Sequence, residues 1–464
     1  MARNARLERL LVEAGFVDRD GQGGRKQFAR AVTGAAVGRG STRTYSHTYV
    51  SRWLDGVVPR DDQTREAIRE ALSARLGRRI APDELGFISA RSTSPDVGLS
   101  YPDEPAAGIT SVAQLFEADL TSAPGVGHAP TNNAAWNDAS LSWLVGSQQP
   151  LEDLGRGGRV GPADVERLRT MRGTFDRLDS MFGGGHARNA LVQYLRTSLP
   201  PLLRAGGRTD IRQALFSAAG EATQLAAWMS YDAGLHGLAQ RYFIQALGLA
   251  DAGNDRLLGA SILDAMSHQA AYLGSFRKAA NLARAAGLGT ASAGVPTLTS
   301  HFYAMEARAL ARLRDKSGCD RAMSAAVREY ERRGESEAPE WISYFDDAEL
   351  SAELGHCHRD LGRSATAIIL AEQALDKASG DYVRSDFFVA MVLADAHLDA
   401  GDVEQGCQVA ADAFRAGEGL ESARCHGYVD EFKQRLILHK KNRAVRDFVA
   451  TVRSSRLWTP ERAG

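Results

Sequence analysis

GLHGLAQRYFIQAL (234–247), GSFRKAANLARAAG (274–287), SGCDRAMSAAVREY (317–330), GRSATAIILAEQAL (362–375) and GDVEQGCQVAADAF (401–414) are five copies of one pattern. A small residue stands five places after the first position: Ala239, Ala279, Ala322, Ala367 and Gly406. Four places on come Phe243, Ala283, Ala326, Ala371 and Ala410, and three beyond those come Ala246, Ala286, Glu329, Ala374 and Ala413. Small side chains at that spacing lie on one helical face and let a second helix approach closely. An alanine-rich helix precedes each copy, so the pattern predicts helical hairpins stacked on their neighbours.

The offsets resemble the second helix of the tetratricopeptide repeat over about residues 210–415. The period is longer than that family's, the terminal proline is missing, and Glu329 breaks the rule in the third copy. The resemblance implies an α-solenoid over 206–455. It also implies a groove lined by the first helix of each hairpin. By position that groove takes Glu221, Gln224, Trp228 and Tyr231, then Asp264 and His268, Arg314, Glu349, His356 and Arg359, and finally Met391 and Asp395. Such a mixture of acids, imidazoles, arginines and aromatics suits an extended peptide or a polar effector.

Outside the repeats the chain changes character. Residues 1–80 carry 16 Lys and Arg against 9 Asp and Glu, a net of +7, which leaves −8 for the remainder. A basic head on an acidic body points to a polyanionic partner for the head alone. Residues 1–87 read as a compact helical unit: a helix from Asn4 to Ala14 closed by Gly15, one over Lys26–Val37, a short third, and one from Asp61 to Leu76 ended by Gly77.

The third helix lies in TYSHTYVSRWLDGVVPR (44–60). Ser46 is a good N-cap, Gly56 a left-handed stop. Val50, Trp53 and Leu54 make a buried face, which leaves His47, Thr48, Tyr49, Ser51 and Arg52 at or near the outer one. With FARAV before it, the stretch resembles the helix-turn-helix of the Xre/Cro-like regulators, Ala29 facing Val50. That resemblance implies DNA binding, with His47, Thr48 and Arg52 reading base edges in the major groove and Tyr49 beside them. Ser46, Arg43, Arg39, Lys26 and Arg60 are then candidates for phosphate contact. One departure is the insert of about a dozen residues, Thr33 to Tyr45, where the family has a short turn.

Residues 88–110 are rich in Ser, Pro and Gly without period and read as a linker. Residues 111–205 are irregularly helical and are expected to connect or dimerise. GRGGRVG (155–161) and FGGGH (182–186) lack the GK[ST] ending and the preceding strand of a phosphate loop, so they read as turns. Cys319, Cys357, Cys407 and Cys425 stand apart without a CxxC pair, as small core residues. His356 and His358 are two apart on a helix and face different ways, so no metal site is expected. No nucleophile elbow, triad spacing or carboxylate pair argues for an enzyme, and no cofactor is expected.

Neither a spanning run nor a secretion signal is read, which implies a cytoplasmic protein. The scarcity of lysine beside arginine suits a GC-rich, actinobacterial type of genome. The expectation is therefore an all-α transcriptional regulator, a homodimer binding double-stranded DNA, whose body senses a peptide or small effector. The competing expectation is a tetratricopeptide scaffold that grips a partner protein without DNA contact.

Overall fold

In the computed structural model residues 4–17, 23–39, 41–59, 61–78, 80, 82–85, 94, 96–123, 125–146, 151 and 158–459 are described. Among them there is no strand, only an isolated bridge between Arg159 and Gly206. The chain divides into two compact units, Met1–Thr93 and Ser94–Gly464.

In the first unit, α1 (Ala5–Glu13), α2 (Arg25–Gly38), α3 (His47–Leu54) and α4 (Asp62–Leu76) are followed by a 3₁₀ turn at Pro82–Leu85. Their apolar stripes meet in one core that includes Leu7, Leu11, Phe28, Val32, Val50, Trp53, Ile68 and Leu72. Ala29 and Val50 are buried in that same core. Capping fixes the ends. Asn4 accepts from Leu7 N at α1 and Asp61 accepts from Thr64 N at α4, each worth about 1 kcal/mol. Asn4 N also donates to Leu54 O (2.8 Å), tying the start of the unit to the end of α3.

The insert before α3 is shorter than the sequence suggests. Helix α2 continues to Gly38, so the connection is 39–46 rather than a stretch beginning at Thr33. It folds back on α2, where Tyr45 N donates to Thr33 Oγ1 (2.9 Å) and Ser41 N to Ala36 O (3.0 Å).

The second unit opens with α5 (Pro105–Leu120), α6 (Asn133–Val145), α7 (Pro162–Phe182) and α8 (Gly184–Arg204). Hairpins follow: α9 (Thr209–Asp232) with α10 (His236–Ala252), α11 (Arg256–Tyr272) with α12 (Phe276–Gly289), α13 (Pro296–Arg312) with α14 (Lys316–Glu331), α15 (Asp347–Asp360) with α16 (Ser364–Lys377), and α17 (Val383–Ala400) with α18 (Val403–Ala416). Then come α19 (Ala423–Leu436) and α20 (Arg443–Val452). The first helices also touch one another in order, α7 to α9, then α11, α13, α15, α17 and α19. The repeat alanines lie in the seam: Ala239, Ala246, Ala279, Ala286, Ala367 and Ala371 are all fully buried.

The third copy is displaced by three residues from its expected register. Gly234, Gly274, Gly362 and Gly401 begin their copies in the left-handed region, at φ between 72° and 89°. The residue in that conformation before α14 is Arg314, at φ 61°. Counting from Arg314, the seam positions are Cys319, Met323 and Ala326, all buried, and Glu329 falls outside the pattern. Glycine adopts this turn without strain, which is why a copy that uses arginine there is hard to see.

The stretch read as a linker differs in its second half. Residues 96–100 are strapped onto α10 by Arg241 Nε to Val97 O (3.0 Å) and by Gln245 Nε2 to Gly98 O (3.0 Å) and Ser100 O (2.9 Å). Helix α5 begins at Pro105, inside the expected linker, and buries Ile109, Val112 and Phe116. Residues 86–93 lie outside the described ones.

The region 111–205 is divided: α7 and α8 pack on α9, and the helices before them lie against the second helices of the hairpins. Helices α5 and α6 pack on α10, and α6 also meets α11 and α12. Trp143 enters between two of those helices because Gly259 and Gly289 leave room: a Cβ there would stand 2.4 Å and 2.3 Å from its ring. Arg256 stacks over the same indole at 3.8 Å and donates to Trp143 O. All four cysteines are buried and free, and among the described residues no cluster of His, Cys, Asp and Glu has the arrangement of a metal site. Nor is any helix among them long and apolar enough to cross a membrane.

Candidate functional site

Helix α3 has eight residues, too few to hold a helix alone in water. Its inner side fixes it: Val50, Trp53 and Leu54 are at most 3% exposed. Trp53 packs against Tyr45 with ring centroids 5.7 Å apart, and Tyr45 is in turn held by its hydroxyl on Thr64 Oγ1 (2.8 Å). On the opposite side Thr48 and Arg52 are exposed, and His47 and Tyr49 are exposed at the flanks, Tyr49 with its ring 6.2 Å from that of Trp53. The Tyr49 ring leans edge-on against Tyr45, which limits its freedom.

The other residues expected on this face are engaged to different degrees. Ser46 occupies the N-cap position, but its side chain makes no capping hydrogen bond. Ser51 is half-buried; its hydroxyl donates to His47 O (3.1 Å) and accepts from Arg25 Nη1 (3.1 Å). Arg43 pairs with Asp61, and Arg39 lies 3.5 Å from Glu70 and 3.9 Å from Glu66. Lys26 and Arg52 are exposed and, among the described residues, have no ion-pair partner. Arg60 lies outside the described residues.

A second set of side chains gathers where the first helices line up. The residues expected to form an open groove are mostly packed together there. Tyr231, Asp264, His356, Arg359, Met391 and Asp395 are buried, while Gln224, Trp228 and His268 are half-buried. Arg314 is not on a first helix at all. It stands exposed in the turn before α14, because the third copy starts three residues earlier than the sequence pattern suggests.

What covers this face is the chain itself. Helix α19 carries Arg424, Tyr428, Glu431 and Arg435 on one stripe, and that stripe meets five first helices. Arg424 donates to Asp232 (2.8 Å) on α9 and lies over the Trp228 and Tyr231 rings and over Phe388 of α17. Tyr272 of α11 donates to Ala423 O (3.5 Å). Tyr428 hydroxyl meets His356 Nε2 of α15 (2.9 Å) and accepts from Arg308 of α13 (3.4 Å). Glu431 pairs with Arg312 (2.9 Å) and Arg359 (3.5 Å), and Arg435 with Asp395 of α17 (3.3 Å).

Beneath α19 remains a cavity of about 300 Å³. Its wall includes His268, Tyr272, Arg308, Arg312, Arg424 and Tyr428. Burial, with Arg308 and Arg424 nearby, holds His268 well below the usual imidazole range, so the ring is neutral at neutral pH. The same causes, burial first and then Arg308 and Arg359, act on His356.

Nearby acids are moved the other way. Burial and the adjacent Glu353 push Glu349 up to about 7, against the opposing charges of His301 and Arg308 and with Asp346 adding to the rise. A carboxyl raised on folding stabilises below its ordinary pKa and loses that contribution as pH rises through 7. Replacing Glu349 by Gln is therefore expected to raise the melting temperature above pH 7, with no difference from the parent below about pH 4.5. Melting curves of both chains across that range are the check, and a constant offset at every pH would contradict the burial account.

The sequence reading missed Arg308, Arg312 and Tyr272, and the whole of α19. The signal was there: Arg424, Tyr428, Glu431 and Arg435 recur at helical spacing, a polar stripe along one face.

A family model described as the SP15 N-terminal domain matches residues 7–88, nearly the span of the first unit. No curated protein and no solved structure matches the chain.

Proposed function

We propose that this chain is a sequence-specific DNA-binding transcriptional regulator. In this reading α2 and α3 form a helix-turn-helix, and α3 enters the major groove. The hairpins of the second unit form a tetratricopeptide-like solenoid that dimerises and senses an effector. The observation that carries it is the outer side of α3: Thr48 and Arg52 stand exposed opposite the buried stripe, with His47 and Tyr49 exposed at its flanks, on a short helix clamped from behind. The surplus of positive charge in residues 1–80 supports it independently.

Roles follow from how each side chain is held. Arg52, exposed and without an ion-pair partner among the described residues, reads a base edge through its paired donors. Lys26, equally exposed, contacts phosphate. Arg39 and Arg43 must leave Glu66, Glu70 and Asp61 to reach the backbone, so they contribute less than their charge suggests. Ser51 supports α3 through Arg25 instead of meeting DNA. In a dimer two α3 helices address half-sites separated by whole turns of the duplex.

The test uses the full chain and duplexes it enriches from a random pool. Fluorescence anisotropy should show log K falling with log salt by about 0.9 per phosphate neutralised. Arg52→Ala is expected to cost about 1–3 kcal/mol at one base position, whereas Lys26→Ala weakens all sequences alike. A chain that enriches no sequence and binds no duplex at low salt ends the proposal. Sedimentation equilibrium of the same sample tests the dimer.

The adaptor alternative is disfavoured by one observation. The face on which a partner's tail would lie is already taken by α19.

A further inference from the structure

We infer that the cavity beneath α19 binds a small organic anion, a carboxylate or phosphate carried on a flat unsaturated body. The inference rests on the reading that the second unit senses an effector, and it names the ligand class. The donors in the wall are only partly engaged. Arg424 uses Nε on Asp232 and, among the described residues, has no other hydrogen bond, though its plane is held by three aromatic rings. Among the described residues Arg312 forms ion pairs through Nη1 only, on Glu431 and more distantly on Asp360, and lies over the Phe276 ring. His268 lines the cavity and meets the Tyr231 hydroxyl through Nδ1 (3.0 Å); among the described residues its Nε2 has no hydrogen-bond partner, and it is a donor when the Tyr231 hydroxyl donates to Nδ1.

The acceptors are more fully taken. Glu431 has one oxygen on Arg312 and the other on Arg359, and Asp360 Oδ1 is held by Arg359 Nε (3.0 Å) and Nη2 (2.8 Å). A wall with donors left over and acceptors mostly engaged is complemented by a ligand that brings acceptors. Guanidinium groups favour planar carboxylate or phosphate oxygens, which they bind in pairs. The Tyr272 and Tyr428 rings supply flat faces for the remainder of the molecule.

Size and cover narrow the class further. A volume of about 300 Å³ is at the small end for ligand sites. With α19 laid across five helices, an extended peptide has no room unless that helix leaves.

Calorimetric titration of the full chain with phenyl phosphate, benzoate, benzamide and inorganic phosphate tests this. At least one aromatic anion should bind, and the uncharged benzamide should not. Comparison of the two anions separates phosphate from carboxylate, and inorganic phosphate shows what the body adds. Arg424→Gln would strip Asp232 of a partner and endanger the fold, so Arg312→Gln and His268→Gln carry the test. Each melts like the parent and weakens the anion about 10-fold or more, the usual effect of losing one charge-assisted hydrogen bond. The inference is overturned if neither anion binds at about 10 mM, where millimolar affinity still registers. It is equally overturned if both variants bind like the parent. DNA binding is measured on the same samples: anion failure with DNA binding intact removes the ligand class only, and the reverse removes the regulator reading.

Discussion

Asp232→Ala is expected to destabilise the second unit by about 3–5 kcal/mol, the cost of stripping a buried charge from its partners. Asp232 is 1% exposed and all its acceptor capacity is in use. Oδ1 accepts from Ser422 Oγ (2.8 Å) and Arg424 Nε (2.8 Å), and Oδ2 from Gly184 N (2.8 Å) and Arg384 Nη1 (3.2 Å). Those partners come from the start of α8, the start of α17 and the entry to α19, so one carboxylate joins segments far apart in the chain. Burial alone would favour its neutral form. Arg384 and Arg424 outweigh that and hold it below the ordinary carboxylate range. Such a group stabilises above its ordinary pKa and stops doing so as pH falls through the depressed value. Urea unfolding at neutral pH measures the loss. A shift under about 1 kcal/mol would mean that the two arginines find other partners and that the cluster is not a keystone.

Trp53→Ala should be as severe for the first unit. A buried tryptophan replaced by alanine costs about 3–5 kcal/mol, against a typical total of about 5–15 kcal/mol for a domain. Here the loss also frees an eight-residue helix that nothing local can sustain. The expected thermogram has an early transition moved strongly down, with the transition of the second unit unchanged. DNA affinity should vanish for every sequence together, in contrast to the one-position effect of Arg52→Ala. If α3 were held mainly by its backbone contacts, the early transition would barely move, and circular dichroism would show no loss of helix at intermediate temperature.

How far these features are legible in the sequence depends on the range of the interaction. Helix α3 was readable because everything that defines it is local: an apolar stripe of Val50, Trp53 and Leu54, and Gly56 at its end. The hairpins were readable because small residues recur at fixed offsets. The third copy was misplaced by three because its turn puts Arg314 where the others have glycine, and no residue pattern announces a left-handed arginine. The helix over Lys26–Val37 is legible to within a residue of its end at Gly38, but the fold-back of the connection after it is not, because it depends on Tyr45 N reaching Thr33 Oγ1 twelve residues back. The packing of the second half of the expected linker is not legible locally, because Val97 O, Gly98 O and Ser100 O are held by Arg241 and Gln245, partners about 145 residues away. The groove was misread for the same reason. Asp264 is matched by His301 and Gln224 by Ser261 on neighbouring first helices, while His356, Arg359 and Asp395 are matched by α19, and the Asp232–Arg424 pair spans 192 positions.

The placement of α19 sets terms for anything else that approaches the first helices. Because it is covalently attached, it behaves as a permanent competitor at an effective concentration on the order of millimolar. A free helix of equal intrinsic fit would need to reach that level merely to occupy the face half the time. Any natural intruder must therefore bind far better than α19 does, or arrive where the short connection from α18 has been cut or strained. Proteolysis within 417–422 would turn an intramolecular rival into a dissociable one, and so convert a closed surface into a receptive one.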